Sequence, residues 1–378
     1  MGIDISRSFR DPIAARAVAD AIRARSTRPA RLMEFCGGHT HAILRFGIPD
    51  LLPETVELRS GPGCPVCVTA ASDLDRAIAM AQVGRDDPDV DIILTTFGDM
   101  IRVPGSKRAG TGNPASLAQA KAQGADVRVV YSPLDALNIA LENPGHSVIF
   151  LGVGFETTIP MIASTVLTAE MKGVENFFVF SAHKLTPPAT HAILGAGEIQ
   201  LSGVIGPGHV TTIIGSDAWR FLPDDYGIPC AVAGFEPLDI LRATLALVEM
   251  VEDKQPDVNN AYSRSVRPGG NLSAQRAMKQ VFETTDAEWR GLGSVPASGL
   301  RLREAYARFD AERAFSVDTP PAREHPGCRC GEILRGALLP TECPLFAQAC
   351  TPQNPIGPCM VSAEGACAAY YRYGVHTA

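Results

Sequence analysis

Eight short runs of apolar and β-branched residues recur along the first 240 positions: RLMEFC (31–36), TVELRS (55–60), VDIILTTF (90–97), VRVVYS (127–132), SVIFLGVG (147–154), FFVFSA (177–182), GVIG (203–206) and CAVAGF (230–235). Each runs into a Gly, Pro, Ser or His cluster, and helix-like stretches separate them. Short, nearly continuous apolar runs suit strands buried on both faces, and strands that alternate with helices build parallel sheets. The pattern therefore predicts an α/β fold with two similar parallel-sheet domains, followed by a mainly helical or irregular C-terminal domain.

The fourth run is followed by SPLDALNIA (132–140) and the eighth by EPLDILRAT (236–244). A shared P-L-D-x-L after every fourth strand suggests an internal repeat of four-stranded units. Pro in a first helical turn with Asp nearby is also ordinary helix-start chemistry, so the match has a local explanation as well. From residue 241 the pattern changes to helix-like ILRATLALVEMVED, then a Pro/Gly stretch at Arg267, then a cysteine-rich tail. The expected domains are 1–131, 132–240 and 241–378, in line with a chain of 378 residues, too long for one ordinary core.

Charge and composition narrow the partners. A net charge of −7 with acids and bases interspersed leaves no basic stripe for nucleic acid. The N-terminal MGIDISRSFRDP is polar, and no apolar run approaches the roughly 20 residues of a membrane span. Ten cysteines without an export signal read as metal ligands or redox thiols, which makes the cytoplasm the expected location and the membrane an unexpected one.

Six of the ten cysteines lie in the last 51 residues: Cys328, Cys330, Cys343, Cys350, Cys359 and Cys367, spaced C-x-C-x12-C-x6-C-x8-C-x7-C. Thiolates are soft ligands that favour zinc or iron-sulfur clusters. Six are two more than either a zinc site or a four-iron cluster uses, and C-x2-C knuckles are missing, which favours the cluster. Cys64 and Cys67, in SGPGCPVCVT, form a C-x-x-C after a strand, where turn amides stabilise a thiolate and favour disulfide exchange or metal capture; the bland reading is two small buried residues.

EFCGGHTH (34–41) sets one thiol, Cys36, and two imidazoles, His39 and His41, after another strand. Ligands of open α/β sheets bind at the carboxyl ends of strands, so Cys36 and Cys64 share a crevice if their strands are neighbours. These three residues could hold zinc with an open position, or offer a single thiolate to a metal whose other ligands come from elsewhere. Further strand-end clusters supply Asp99 and Arg102, then Glu156 with Thr157 and Thr158, and then His183, Lys184 and His209, each either a solvated loop or part of one polar crevice. Cys230, in an apolar strand, reads as core.

EFCGGHTHAI, GPGCPVCVT, TTFGDMIRVPGS, GVGFETTIP and CPLFAQACTPQNPIGPCMVSAEGACAAYYRYG, collinear from about residue 30 to the C-terminus, resemble the HypD family of hydrogenase formation proteins. The resemblance implies a maturation factor for nickel-iron hydrogenases: a scaffold on which an Fe(CN)2CO moiety is assembled with a small chaperone, HypC, and a cyanide donor, HypE. It implies two similar α/β domains and a third holding a [4Fe-4S] cluster. Carried onto this chain, Cys36 is the thiolate at the transient iron with His39 nearby, and Cys64/Cys67 are an exchangeable dithiol. By likeness to ferredoxin-thioredoxin reductase, Cys330, Cys343, Cys350 and Cys367 bind the cluster and Cys328/Cys359 form the adjacent redox pair, giving an electron route from cluster to dithiol to iron. The chaperone is expected near the crevice, around Asp99 to Lys107.

Two other classes stay in view. A cluster-dependent thiol-disulfide oxidoreductase acting on protein partners would use Cys64/Cys67 and dispense with Cys36. A zinc hydrolase would use Cys36, His39 and His41. The leading expectation is a redox-active assembly scaffold rather than a turnover enzyme.

Overall fold

The computed structural model describes residues 8–86, 91–106, 112 and 114–374. All eight apolar runs form strands: β1 Ala30–Glu34, β2 Val56–Ser60, β3 Ile92–Thr96, β4 Asp126–Val129, β5 Ser147–Gly152, β6 Phe177–Ser181, β7 Gly203–Pro207 and β8 Cys230–Ala233. Two strand regions go beyond the sequence reading. A short β9, Val258–Asn260, extends the first sheet, and β10 Phe282–Trp289 with β11 Gly293–Leu302 forms an antiparallel ribbon.

The fold is α/β, with two parallel sheets. One has the order β2-β1-β7-β8-β9, the other β4-β3-β5-β6. Strand pairing thus divides the chain differently from the boundaries at 131/132 and 240/241. The first sheet joins strands from 30–60 to strands from 203–260, and the second lies within 92–181. Taken in chain order within each sheet, both begin second-first-third-fourth, so the sheets are alike. Their equivalent strands are not consecutive fours, however.

The P-L-D matches follow inequivalent strands. Helix Pro133–Glu142 follows β4, an edge strand, whereas helix Pro237–Asp253 follows β8, an inner one. Both starts are capping boxes, Ser132 with Asp135 and Glu236 with Asp239, so local helix-start chemistry accounts for the shared letters.

β3, β7 and β8 are buried at every position, as strands covered on both faces must be. The first sheet is covered in part by helix Pro12–Arg25, capped by Asp11, which buries Ala15, Ala19 and Ile22 and packs on helix Pro237–Asp253. One apolar cluster runs from Met33 and Phe35 through Leu94 and Leu151 to Ile333 and Met360, uniting both sheets with the C-terminal region. Helix Ala366–Tyr373, which carries Cys367, packs on helix Gly37–Arg45. Among the described residues no helix is long and apolar enough to cross a membrane.

Candidate functional site

β1 and β2 are parallel neighbours, so the loops that follow them meet at one end of the first sheet. The Gly37 amide donates to the Gly63 carbonyl at 3.0 Å, and a Cβ on Gly63 would collide with the backbone of Phe35 and Cys36. Only glycine allows this approach, which brings the Cys36 turn against the Cys64 turn. Strand order reverses between β1 and β7, so Cys36, after β1, and His209, after β7, flank the switch point where ligands of such sheets bind.

Cys36 is the N-cap of helix Gly37–Arg45 and is half-buried. Burial, followed by the charges of Glu364 and Glu34, pushes its thiol up to about 12. Glu364 is itself raised by burial and by Asp99, which follows β3, so the second sheet contributes a carboxylate to the same crevice. Arg102 reaches into the C-terminal region, donating to the carbonyls of Pro352 and Gln353 at 3.1 and 3.2 Å. Lys107 lies outside the described residues.

The two histidines of EFCGGHTH turn away from Cys36 and from each other. His39 is fully buried and its Nε2–H donates to the Gly234 carbonyl at 2.9 Å, with the Ala233 carbonyl at 3.3 Å. Burial lowers its pKa to about 4. Its ring stacks on Phe235 at 4.6 Å, and His209 stacks on the same phenyl ring at 3.8 Å. His41 instead contacts the Ala363 carbonyl and the Tyr373 hydroxyl. Positions 39 and 41 are about 200° apart around a helix, so neighbouring letters face different walls. Among the described residues no three His, Cys, Asp or Glu side chains converge to hold a single metal ion.

Cys64 and Cys67 are joined in a disulfide, at 3% and 0% exposure, around the one-turn helix Pro65–Val68. That turn contacts the turn Pro358–Met360, which contains Cys359. Beyond it, all six tail thiols line one small cavity with Ile333, Leu345, Phe346 and Met360. The thiols ring a space rather than meeting at a point, and the Ile356 amide donates to Cys350 Sγ at 3.4 Å. Soft donors with amide support around a cavity fit an iron-sulfur cluster.

Within that cavity Cys330 Sγ lies 2.7 Å from Cys359 Sγ, while Cys328 hydrogen-bonds to Cys330. Hydrogen bonds from Cys328 and Cys359 hold Cys330 well below the ordinary thiol range, and the Arg290 guanidinium adds to the effect. The sequence expectation paired Cys328 with Cys359; in the structure Cys359 contacts the thiols of Cys330 and Cys367, and Cys328 contacts that of Cys330.

The remaining expected residues have structural positions. Glu156 is buried, accepting from the Thr186 amide at 2.9 Å and its hydroxyl at 2.8 Å at the start of helix Thr186–Ala196. Thr158 donates to the Phe155 carbonyl and Thr157 is exposed. His183 and Lys184 line a separate polar cavity of about 350 Å³ that has no cysteine in its wall. Cys230 is core, fully buried in β8.

Four residues of the site were passed over in the sequence: Glu34, Phe235, Arg290 and Glu364. Only Glu34 carried a signal, a carboxylate closing a strand two residues before a cysteine.

With this arrangement in place, comparison with known proteins decides the family. A HypD model, described as "Hydrogenase formation hypA family", matches residues 13–374. The chain belongs to the HypD family. It is 50% identical over 374 residues to the hydrogenase maturation factor HypD of Azotobacter vinelandii, covering 97% of this chain and 96% of that protein. It is 46% identical to HypD of Cupriavidus necator over 97% and 96% of the two chains, and 47% identical to that of Escherichia coli K12 over 92% and 90%.

Proposed function

We propose that this HypD-family chain is a hydrogenase maturation factor that acts as the scaffold for the Fe(CN)2CO moiety of nickel-iron hydrogenase. In this reading it works in the cytoplasm with a HypC-type chaperone and a HypE-type cyanide donor. The observation that carries the reading is the half-buried Cys36 thiol at the switch point of the first sheet, with the Cys64–Cys67 disulfide on the adjoining loop.

Cys36 is the ligand to the assembling iron. Its thiol resists ionisation in the crevice, so it stays protonated until a cation arrives; coordination then displaces the proton. Glu364 and Asp99 favour that cation electrostatically. His39 remains neutral and fixes the turn through its carbonyl contacts. The chaperone docks at this crevice, its own thiolate completing the iron site, and Cys64/Cys67 exchange electrons beside it.

Cys330, Cys343, Cys350 and Cys367 would hold a [4Fe-4S] cluster, with Cys328 and Cys359 as the neighbouring redox pair. When bound, the cluster supplies one-electron chemistry. The contact between Cys330 and Cys359 supports a second assignment, in which Cys328 is the ligand and Cys330/Cys359 the pair.

The test is an infrared spectrum of the protein isolated without oxygen with its small partner, wild type against Cys36→Ala. Cyanide and carbonyl stretches that vanish in the variant are the expected result. Their absence from a wild type with an intact cluster would favour a thiol-disulfide oxidoreductase acting on protein partners.

A further inference from the structure

Glu34 closes β1 two residues before Cys36 and is 2% exposed. Its Oε2 accepts the Cys36 amide proton at 2.8 Å, and its Oε1 accepts the Thr40 hydroxyl. The Thr40 oxygen in turn accepts from the Ser60 hydroxyl at 3.3 Å, at the end of β2. The Glu34 carbonyl accepts the Gly61 amide at 2.8 Å. Among the described residues no cation bonds to this carboxyl.

A carboxyl buried without a cation is costly, and what it holds must offset the cost. Cys36 is an N-cap that makes no side-chain capping bond, with an extended backbone at φ −151° and ψ 121°. In a capping box the residue three positions into the helix takes the N-cap amide. Here that position is His39, whose ring is turned to the carbonyls of Ala233 and Gly234, so the N-cap amide goes to Glu34 behind it. Thr40 and Ser60 keep the carboxyl in place from the helix and from β2.

We infer that Glu34 is a positioning residue for Cys36: by accepting the Cys36 amide it sets the turn that aims the thiol into the crevice. The inference rests on the reading of Cys36 as the reacting thiol, but it is tested on the thiol itself, without iron. The role belongs to the acceptor oxygen rather than to the charge. Glutamine can supply that oxygen while its amide nitrogen donates to Thr40, and methionine fills similar volume with no acceptor.

The experiment measures iodoacetamide alkylation of Cys36 in the full chain by peptide mass spectrometry, with Cys36→Ala as background. Glu34→Met is expected to raise the rate about tenfold, the equivalent of one hydrogen bond, while Glu34→Gln stays within about twofold of wild type. A wild-type rate in Glu34→Met, or a rate in Glu34→Gln as high as in Glu34→Met, overturns the inference. Should Glu34→Met fail to fold, Thr40→Val decides. It removes the Oε1 bond and leaves the Cys36 amide bonded, so a rate within about twofold of wild type supports the assignment, and a tenfold rise overturns it. Loss of infrared bands with unchanged alkylation would instead bear on the scaffold reading alone.

Discussion

Cys330 and Cys359, 29 positions apart in the sequence, place their sulfurs 2.7 Å from each other, with Cys328 bonded to the Cys330 side of the pair. Two thiols in that position close to a disulfide with less rearrangement than a pair brought from elsewhere in the cavity. Mild oxidation of the metal-free chain is therefore expected to link Cys330 to Cys359. Tryptic mass spectrometry should find that crosslink, lose it in Cys330→Ser and Cys359→Ser, and keep it in Cys328→Ser. A Cys328–Cys359 crosslink as the main product would instead favour Cys328/Cys359 as the redox pair.

The approach of the Cys36 and Cys64 turns depends on Gly63, where an added Cβ would overlap the backbone of Phe35 and Cys36. Backbone cannot rotate aside as a side-chain tip can. Gly63→Ala should destabilise the chain by about 2 to 3 kcal/mol through overpacking. A urea denaturation midpoint unchanged from wild type would mean that the two turns do not meet this closely.

The eight strands were legible because parallel-sheet strands are apolar on both faces and end in turn residues. Their assignment to sheets was not, because it depends on β1 pairing with β7, whose paired positions Leu32 and Gly203 are 171 residues apart. The β10–β11 ribbon was hidden for a different reason. GSVPASGLRL is rich in residues that usually break strands, and the ribbon buries Phe282, Trp289, Val295, Leu300 and Leu302. In the site, proximity of Cys36 to Cys64 followed from strand adjacency, whereas the directions of His39 and His41 did not follow from EFCGGHTH, since a helix begins at Gly37 and spreads its side chains around an axis. Phe235 and Glu364 belong to the crevice only through tertiary packing, which no local pattern encodes.

Lys184 and Asp73 form a buried pair at 3.1 Å that ties the loop after β6 to the helix following the Cys64–Cys67 turn. The partners differ in what remains when one is removed. Asp73 keeps Arg76 at 2.6 Å if Lys184 is replaced, whereas Lys184 loses its ion-pair partner if Asp73 is replaced. Asp73→Asn should therefore cost about 3 to 5 kcal/mol, and Lys184→Met less, about 1 to 3 kcal/mol. Equal losses in equilibrium unfolding would contradict this asymmetry.

His183 gives the chain an acid limit. The Ser181 hydroxyl donates to the Leu300 carbonyl at 2.7 Å, so it accepts from His183 Nδ1–H at 2.9 Å, which leaves Nε2 as a lone-pair acceptor. That nitrogen is buried and has no partner among the described residues. Protonation would place a second N–H and a charge at a buried nitrogen beside the Lys184 ammonium. Burial, with the Lys184 charge added, accordingly lowers the His183 pKa from 6.5 to about 3. Between these values the unfolded chain binds a proton that the folded chain refuses, so the stability contributed by neutral His183 is present above pH 6.5 and is lost as pH falls towards 3. From pH 6.5 to pH 5 this amounts to about 2 kcal/mol. Denaturant midpoints measured across that interval should fall more steeply for wild type than for His183→Gln, which has no proton to take up. Parallel slopes would show that His183 takes up its proton in the folded chain as readily as in the unfolded one.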